Sequence, residues 1–173
     1  MNKIRPSLLL LSLLLAVTVL FTGCGGAETE PEANIFYCFS DGDEFRMTLP
    51  GAFREMDTGS YYELYFSGGH IMVDPMAASS FTPLEGYPPL DLKGFSEFIV
   101  DYSIRDVELL QSGDYYYFDE SDETHTIYSF CLASENSFWW VQCSMSLETA
   151  PANQALATFR QWIDTIVLIP AEE

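Results

Sequence analysis

Positive charge is scarce in this chain. Its 173 residues include 7 Lys and Arg against 26 Asp and Glu, which gives a formal net charge of −19 at pH 7. Nucleic-acid binding depends on basic side chains that neutralise phosphates, so this composition argues against a nucleic-acid partner. It also disfavours direct docking of the folded part on an anionic membrane surface. Cations, basic peptides and basic protein faces remain compatible partners. The alternative is that the acidic surface serves only to keep a domain soluble.

Histidine and cysteine are also few, and their spacing matches no familiar site. The only histidines, His70 and His125, lie in strand-like stretches, and the absence of a Cys-x-x-Cys pair argues against structural zinc. A nucleophilic Cys-His-Asp site would combine Cys38 or Cys131 with either histidine. Nothing in the spacing supports such a site, and we therefore predict no catalytic residues.

The first 24 residues carry the most specific pattern in the chain. Lys3 and Arg5 precede an uncharged, leucine-rich stretch over 8–21, which is the layout of a secretory signal peptide. The segment 20–24, which reads Leu-Phe-Thr-Gly-Cys, is similar to a bacterial lipobox. That resemblance implies cleavage before Cys24 and transfer of diacylglycerol to its sulfur. The alternative is an ordinary signal that is cleaved or retained.

This resemblance divides the chain into a signal peptide over 1–23, a lipidated tether over 24–34 and a globular domain over 35–173. The residues after Cys24 include no large apolar side chain up to position 34, as expected of a flexible tether. Loss of two basic residues with the signal leaves five against 26 acidic ones, a formal net charge of −21. The lipid is then the expected attachment to the bacterial membrane, on its extracytoplasmic side.

Apolar periodicity and turn residues predict a mixed α+β domain. The expected strands are 35–39, 44–49, 61–67, 70–73, 107–111, 115–119, 124–133 and 137–147. Segment 75–89 is predicted to be a long loop, and 166–169 is either a short closing strand or a frayed helix end. One helix is expected after Asp91 as N-cap, with Phe98 and Tyr102 on its apolar face, and a second near Thr149.

Three segments carry a resemblance to a known family. Segment 45–53 reads Phe-Arg-Met-Thr-Leu-Pro-Gly-Ala-Phe, segment 137–141 reads Ser-Phe-Trp-Trp-Val, and a helix is expected to end over 162–166. They are similar to the early strand, the closing strand and the last helix of PsbP-like domains. The resemblance implies a mostly antiparallel sheet flanked by two main helices, an α/β/α sandwich. It also implies an extracytoplasmic accessory or binding subunit, with no catalytic signature to carry across.

Three cysteines remain once Cys24 is set aside, so at most one internal disulfide is expected. A hairpin loop over 134–137 pairs Cys131 with Trp140 and places Cys143 on the opposite face of the sheet, which is incompatible with a Cys131–Cys143 bridge. A bridge from Cys38 to either of the other two remains open. The alternative is three buried free thiols.

Acidic residues crowd two predicted turns, one with Asp41 and Asp43 and the other with Asp119 and Asp122. Calcium favours oxygen-rich loops of this kind, but neither segment matches the twelve-residue calcium loop. Solvated turns are expected, with weak calcium binding as the alternative. No other cofactor or metal is predicted.

Aromatic residues cluster in several predicted strands, and alternation requires about half of each cluster to face away from the core. The candidate ligand-binding residues are Trp140, Tyr62 and Tyr116. Gln142 and Ser144 lie on the same side of their strand as Trp140. If helices cover that face, these rings form a second core layer. If they do not, an aromatic strip beside carboxylates suits a sugar or a peptide.

The sequence therefore predicts a non-enzymatic, membrane-anchored lipoprotein that binds a protein partner or a small ligand at the cell surface or envelope. The alternative is a carbohydrate- or peptide-binding module that uses an exposed aromatic sheet face. A hydrolase is the least favoured function.

Overall fold

Two antiparallel sheets and two α-helices make up the part of the chain that the computed structural model describes, residues 33–81, 90–103 and 106–171. The predicted signal peptide, Cys24 and the tether up to residue 32 lie outside this part. The first strand begins at Ala33, two residues before the predicted start of the domain.

The described residues form ten strands and two α-helices, with five strands before the first helix and four between the helices. The strands are β1 Ala33–Ser40, β2 Asp43–Pro50, β3 Arg54–Asp57, β4 Tyr62–Phe66, β5 Gly69–Ala77, β6 Leu110–Ser112, β7 Tyr115–Asp119, β8 His125–Ala133, β9 Ser137–Ser146 and β10 Val167–Ile169. The helices are α1 Leu92–Tyr102 and α2 Ala152–Ile163, and a single 3-10 turn spans Ala78–Phe81.

The strands form a small sheet of order β1-β2-β10 and a large sheet of order β3-β4-β5-β9-β8-β7-β6. Every pairing between described strands is antiparallel. The first hairpin turns at Asp41 and Gly42, whose φ angles are +46° and +88°. Two positive φ angles match the twist of a two-residue hairpin, and Asp-Gly is a preferred pair for it.

The main core fills the space between the two sheets and α2. Its large, fully buried side chains come from both sheets and from the helix, and they include Phe36, Phe45, Leu64, Phe130, Trp139 and Phe159. The rings of Phe45 and Trp139, one from each sheet, lie 5.2 Å apart. These contacts hold the small sheet and α2 on one face of the large sheet.

A second, smaller core lies on the other face of the large sheet, under α1. Asp91 caps this helix by accepting a hydrogen bond from the Gly94 N–H at 2.7 Å, as predicted. Phe95 of the helix stacks on Phe138 of β9 with ring centres 4.6 Å apart. Tyr102, at the end of the helix, is 69% exposed, and its ring centre lies 4.9 Å from that of Phe98.

Most predicted elements are confirmed within a few residues, and the general α+β class with a mostly antiparallel sheet and two helices is confirmed. The prediction of a loop from residue 75 is wrong at its start, because β5 continues to Ala77. The strand predicted over 107–111 is Leu110–Ser112, and β3 was not predicted. Neither described helix is long and apolar enough to cross a bilayer.

Candidate functional site

The second face of the large sheet carries polar side chains beside the patch that α1 covers. The helix packs on β7, β8 and β9. The register then aligns Glu63 of β4, Met72 of β5 and Gln142 of β9 in one row across the sheet. The next row contains Asp74 of β5 and Trp140 of β9. We call these five residues the polar sheet face.

Asp74 is the most unusual member of this face. Its burial raises the pKa of the carboxyl group from 3.8 to about 6, and burial is the only cause of the shift. No described Lys or Arg contributes to it, so the carboxylate has no cationic partner among the described residues. A half-buried carboxylate in this condition gains stability from any cation that approaches it.

Hydrogen bonds fix the groups next to Asp74. The Trp140 indole N–H donates to Ser129 Oγ at 3.0 Å. Ser129 Oγ donates in turn to Glu120 Oε2 at 2.6 Å, and Gln142 Nε2 donates to the same carboxylate oxygen at 3.0 Å. This network holds the Trp140 ring and the Gln142 amide in place, so that neither has to be ordered when a ligand binds.

His70, two residues before Met72 on β5, lies near a carboxylate and a serine, which nucleophilic sites combine with a histidine. Its Nε2 atom is 3.8 Å from Glu63 Oε1, and Ser144 is its partner on β9. Burial lowers the pKa of His70, although the charge of Glu63 acts in the opposite direction. The 3.8 Å separation is longer than a hydrogen bond, and Nε2 is buried without a partner. No hydrogen-bonded relay therefore joins the three side chains.

Both histidines of the chain border one small cavity at the end of the face. Its volume is about 270 Å³, and its lining residues are Gly68, Gly69, His70, His125, Ser144 and Ser146. His125 Nδ1 lies 2.9 Å from Thr124 Oγ1. The separation of His70 and His125 along the chain did not indicate this proximity, which follows from the pairing of β5 and β8 with β9.

The structure separates the three predicted ligand-binding aromatics. Trp140 and Tyr116 share a row of the large sheet with Cys131 between them, and both pack against the second core. Tyr62 lies on the opposite face, where its ring is 5.5 Å from Phe36 of the small sheet. The three side chains therefore cannot bind one ligand as a continuous strip.

The acidic residues of the predicted turns accept hydrogen bonds from other parts of the chain. Asp43 is fully buried, and its carboxylate accepts hydrogen bonds from the backbone N–H groups of Asn136 and Ala171 at 2.7 and 3.0 Å. Asp119 accepts from the Tyr128 hydroxyl at 2.8 Å, and Asp122 accepts from the His125 N–H at 2.8 Å.

Asp41, the remaining acidic turn residue, accepts a hydrogen bond from the Ser79 hydroxyl at 3.3 Å. Within the described ranges, no group of three or more His, Cys, Asp and Glu side chains is placed to hold a metal ion. Weak calcium binding at either turn stays a prediction.

Three cysteines lie in the described part of the chain, and Cys38, Cys131 and Cys143 are all free and buried there. The predicted hairpin register is confirmed, with Cys131 opposite Trp140 and Cys143 opposite Tyr128, so the two thiols point to opposite faces. Burial raises the pKa of Cys38 and of Cys131 to about 12 and also raises that of Cys143. Protonated, buried thiols are poor nucleophiles.

The sequence analysis did not identify Asp74, Glu63 or Met72 as residues of this face. For Asp74 the available signal was the only acidic residue of a largely apolar strand, Gly-His-Ile-Met-Val-Asp-Pro-Met-Ala. A charge in such a strand either faces solvent or needs a partner.

Comparison with models of known protein families gives no match, and comparison with curated protein sequences gives no significant one.

Proposed function

We propose that this chain is a lipid-anchored, extracytoplasmic binding protein without enzymatic activity, and that it holds a small cationic ligand on the polar sheet face. Cys24, in its lipobox-like context, carries the anchor. The observation that supports the binding site is Asp74, a half-buried carboxylate without a cationic partner among the described residues. A protein of net charge −19 also attracts cations over a longer range.

The neighbours of Asp74 suit an organic cation such as an amine. Trp140 stands opposite Asp74 on the adjacent strand and offers an aromatic surface to a cation. Gln142 and Glu63, in the next row, supply an amide and a second carboxylate for hydrogen bonds. Because water is partly excluded at a half-buried site, these attractions are stronger than at an exposed surface.

The resemblance to PsbP-like domains is part of the same proposal. One helix on each face of a mostly antiparallel sheet is compatible with it, as is the position of α2 directly after the closing strand β9. The resemblance favours an accessory or binding role over catalysis. His70, Glu63 and Ser144 are not connected by hydrogen bonds as a catalytic relay would be, and this favours the same conclusion.

Carbohydrate binding on the same face is the second candidate, and Trp140 beside Gln142 and Ser144 favours it. Sugar rings stack on an aromatic face while carboxylates and amides accept their hydroxyl hydrogens. The two ligand classes differ in their dependence on pH. A neutral sugar does not require an ionised Asp74 for charge pairing, whereas an amine does.

Replacement of Cys24 by serine tests the anchor. The wild-type protein extracted from membranes is expected to have the mass of residues 24–173 plus a diacylglycerol increment, and Cys24→Ser is expected to lack that increment and to associate less with membranes, because the acidic domain has no attachment of its own. Intact-mass measurement and cell fractionation give the result. Thr29→Ser in the tether is the control and should change neither. A wild-type mass without the increment contradicts the anchor.

Replacement of Asp74 by asparagine tests the ligand site. Binding of putrescine and of tetramethylammonium to the purified protein, followed by calorimetry, should weaken at least tenfold in Asp74→Asn. Since the pKa of Asp74 is about 6, wild-type affinity should fall about tenfold between pH 7 and pH 5 as the carboxylate is protonated.

Asp114→Asn is the matched control for this experiment, because it removes the same charge from an exposed turn. It should change the affinity less than twofold. Equal weakening in the two variants would show general charge attraction in place of a site. Binding of an oligosaccharide that is unaffected by pH would favour the second candidate.

A further inference from the structure

An exposed apolar strip lies on the outer face of the small sheet. Ile35, Tyr37 and Phe39 alternate along β1 with buried residues, and they are 58%, 61% and 58% exposed. Val167 of β10 is 53% exposed and lies in the same row as Tyr37, with Arg46 of β2 between them. Single exposed apolar residues are ordinary, but a contiguous patch of them marks an interaction surface.

Among the described strands, β1 is also an edge strand: it pairs only with β2, through a continuous register from Ala33 to Ser40 without a bulge. Its residues 35–40 offer the edge for further pairing. Its sequence, Ala-Asn-Ile-Phe-Tyr-Cys-Phe-Ser, contains no charged residue and no proline. Edge strands usually carry one of these devices, because their unpaired N–H and C=O groups otherwise recruit another strand. This edge is therefore suited to accept one.

Carboxylates line the opening between β1 and the large sheet. β3, an edge strand of the large sheet, carries Glu55 and Asp57, and all four of its residues are exposed. The register of β3 with β4 places these carboxylates on the same side as Leu64 and Tyr62, which is the side that faces the small sheet. A groove of about 280 Å³ beside Asp57 is bordered by Tyr62 and Phe39.

The charges of these carboxylates reach β1 and its surroundings. Burial raises the pKa of Cys38, which lies on β1, and the charge of Glu55 raises it further. Burial also raises the pKa of Tyr62, with contributions from Asp57 and Glu55. The carboxylates of Glu55 and Asp57, which the register places on this side of β3, make the opening negative, and a positively charged occupant fits it.

We infer that β1 binds an extended, basic segment of a partner protein, which adds a fourth strand to the small sheet. Alternate side chains of an added strand point to opposite faces. One set lies against the strip of Ile35, Tyr37 and Phe39, and the other points toward Glu55 and Asp57. The segment therefore alternates apolar and basic residues, and its main-chain hydrogen bonds to β1 supply affinity. A second copy of this acidic chain fits less well, because the two copies repel each other.

Three peptides of about eight residues test this inference on the purified full-length protein by fluorescence anisotropy. The first alternates lysine and valine, the second alternates glutamate and valine, and the third is the lysine–valine peptide with all backbone amides methylated. The first should bind at least tenfold more tightly than the others. Equal binding of the methylated peptide overturns strand addition, and equal binding of the glutamate peptide overturns the charge complementarity.

Two double variants with the same change in charge locate the site. E55Q/D57N should weaken binding of the lysine–valine peptide at least tenfold, whereas E108Q/D114N, which alters exposed residues elsewhere, should weaken it less than twofold. Tyr37→Ser should weaken it about fivefold through loss of the apolar contact. Equal weakening by the two double variants overturns a specific contact.

Two further measurements complete the test. Bound peptide should slow hydrogen exchange in β1 while the exchange of β6 stays unchanged, and uniform slowing overturns the assignment to β1. A dimer that forms without peptide and is lost in Tyr37→Ser replaces the partner protein by a second copy. Asp74→Asn should leave peptide binding unchanged, so this inference and the proposed small-ligand site can fail independently.

Discussion

Asp43→Asn is expected to lower the free energy of unfolding by about 3 kcal/mol, because a buried carboxylate that accepts several hydrogen bonds becomes an amide with a single acceptor. Asp43 joins the start of β2 to the β8–β9 turn through Asn136 and to the C-terminal segment through Ala171. An amide nitrogen at this position faces N–H donors, so at least one donor loses its partner. Urea unfolding at pH 7 measures the loss.

The neighbouring Asp41 provides the matched control. Its side chain is exposed, and its φ of +46° is a conformation that asparagine adopts readily. Asp41→Asn should therefore change the free energy of unfolding by less than about 0.5 kcal/mol. An equal effect of the two substitutions would show that the loss follows from the net charge and not from the buried hydrogen bonds.

The dependence of this stabilisation on pH has a definite sign. Burial alone raises the pKa of Asp43, but hydrogen bonds from Ser134, Asn136 and Ala171 outweigh it and hold the pKa below 3.8. The contribution is therefore fully present above the ordinary pKa and is lost as the pH falls below it. The difference in stability between wild type and Asp43→Asn should shrink in acid. A constant difference down to the lowest pH at which the fold persists contradicts this.

Hairpins were the part of the fold that the sequence predicted best. In β8 and β9 a short loop fixes the register, so pairing Phe130 with Val141 also places Cys131 opposite Trp140. The Asp41–Gly42 turn is equally local. These predictions succeed because turn chemistry and side-chain alternation act over a few neighbouring residues.

Pairings between distant segments were not predictable in the same way. β10, with three residues, joins β2 more than 100 positions away and forms the third strand of the small sheet. Its pairing depends on the packed core and not on local propensity.

β3 was missed for a different reason. It pairs with its chain neighbour β4 across a short turn, but its residues, Arg-Glu-Met-Asp, are exposed on an edge and show no apolar alternation.

The candidate site shows the same limit. Alternation along β9 places Trp140 and Trp139 on opposite faces of the sheet. It does not indicate which residues of the other strands lie on the same face as Trp140. Tyr62 was placed with Trp140 because both are aromatic, yet Tyr62 packs on Phe36 in the main core. The proposed role of Asp74 rests on its burial and on Trp140 opposite, and the position of Trp140 follows from the pairing of β5 with β9.

Trp139→Ala is expected to lower the free energy of unfolding by about 4 kcal/mol, because it leaves a large cavity in the main core. Trp139 is fully buried, its ring is 5.2 Å from Phe45, and its indole N–H donates to Ser134 Oγ at 2.9 Å. The same substitution at the adjacent Trp140 should cost about 2 kcal/mol, since this ring is half-buried on the other face.

The comparison of the two tryptophans also bears on the proposed ligand site. Thermal or urea unfolding of both variants gives the two losses. Each variant keeps two of the three tryptophans, and Trp162 is common to wild type and both variants. The change in acrylamide quenching from wild type to each variant therefore reports how far the ring that was removed is accessible. The polar sheet face is covered if Trp140→Ala lowers the free energy of unfolding as much as Trp139→Ala does and acrylamide quenches the fluorescence of neither ring. A covered face has no room for an amine between Asp74 and Trp140, and the binding function must then lie at another surface, of which the edge of β1 is the one that the exposed apolar strip favours.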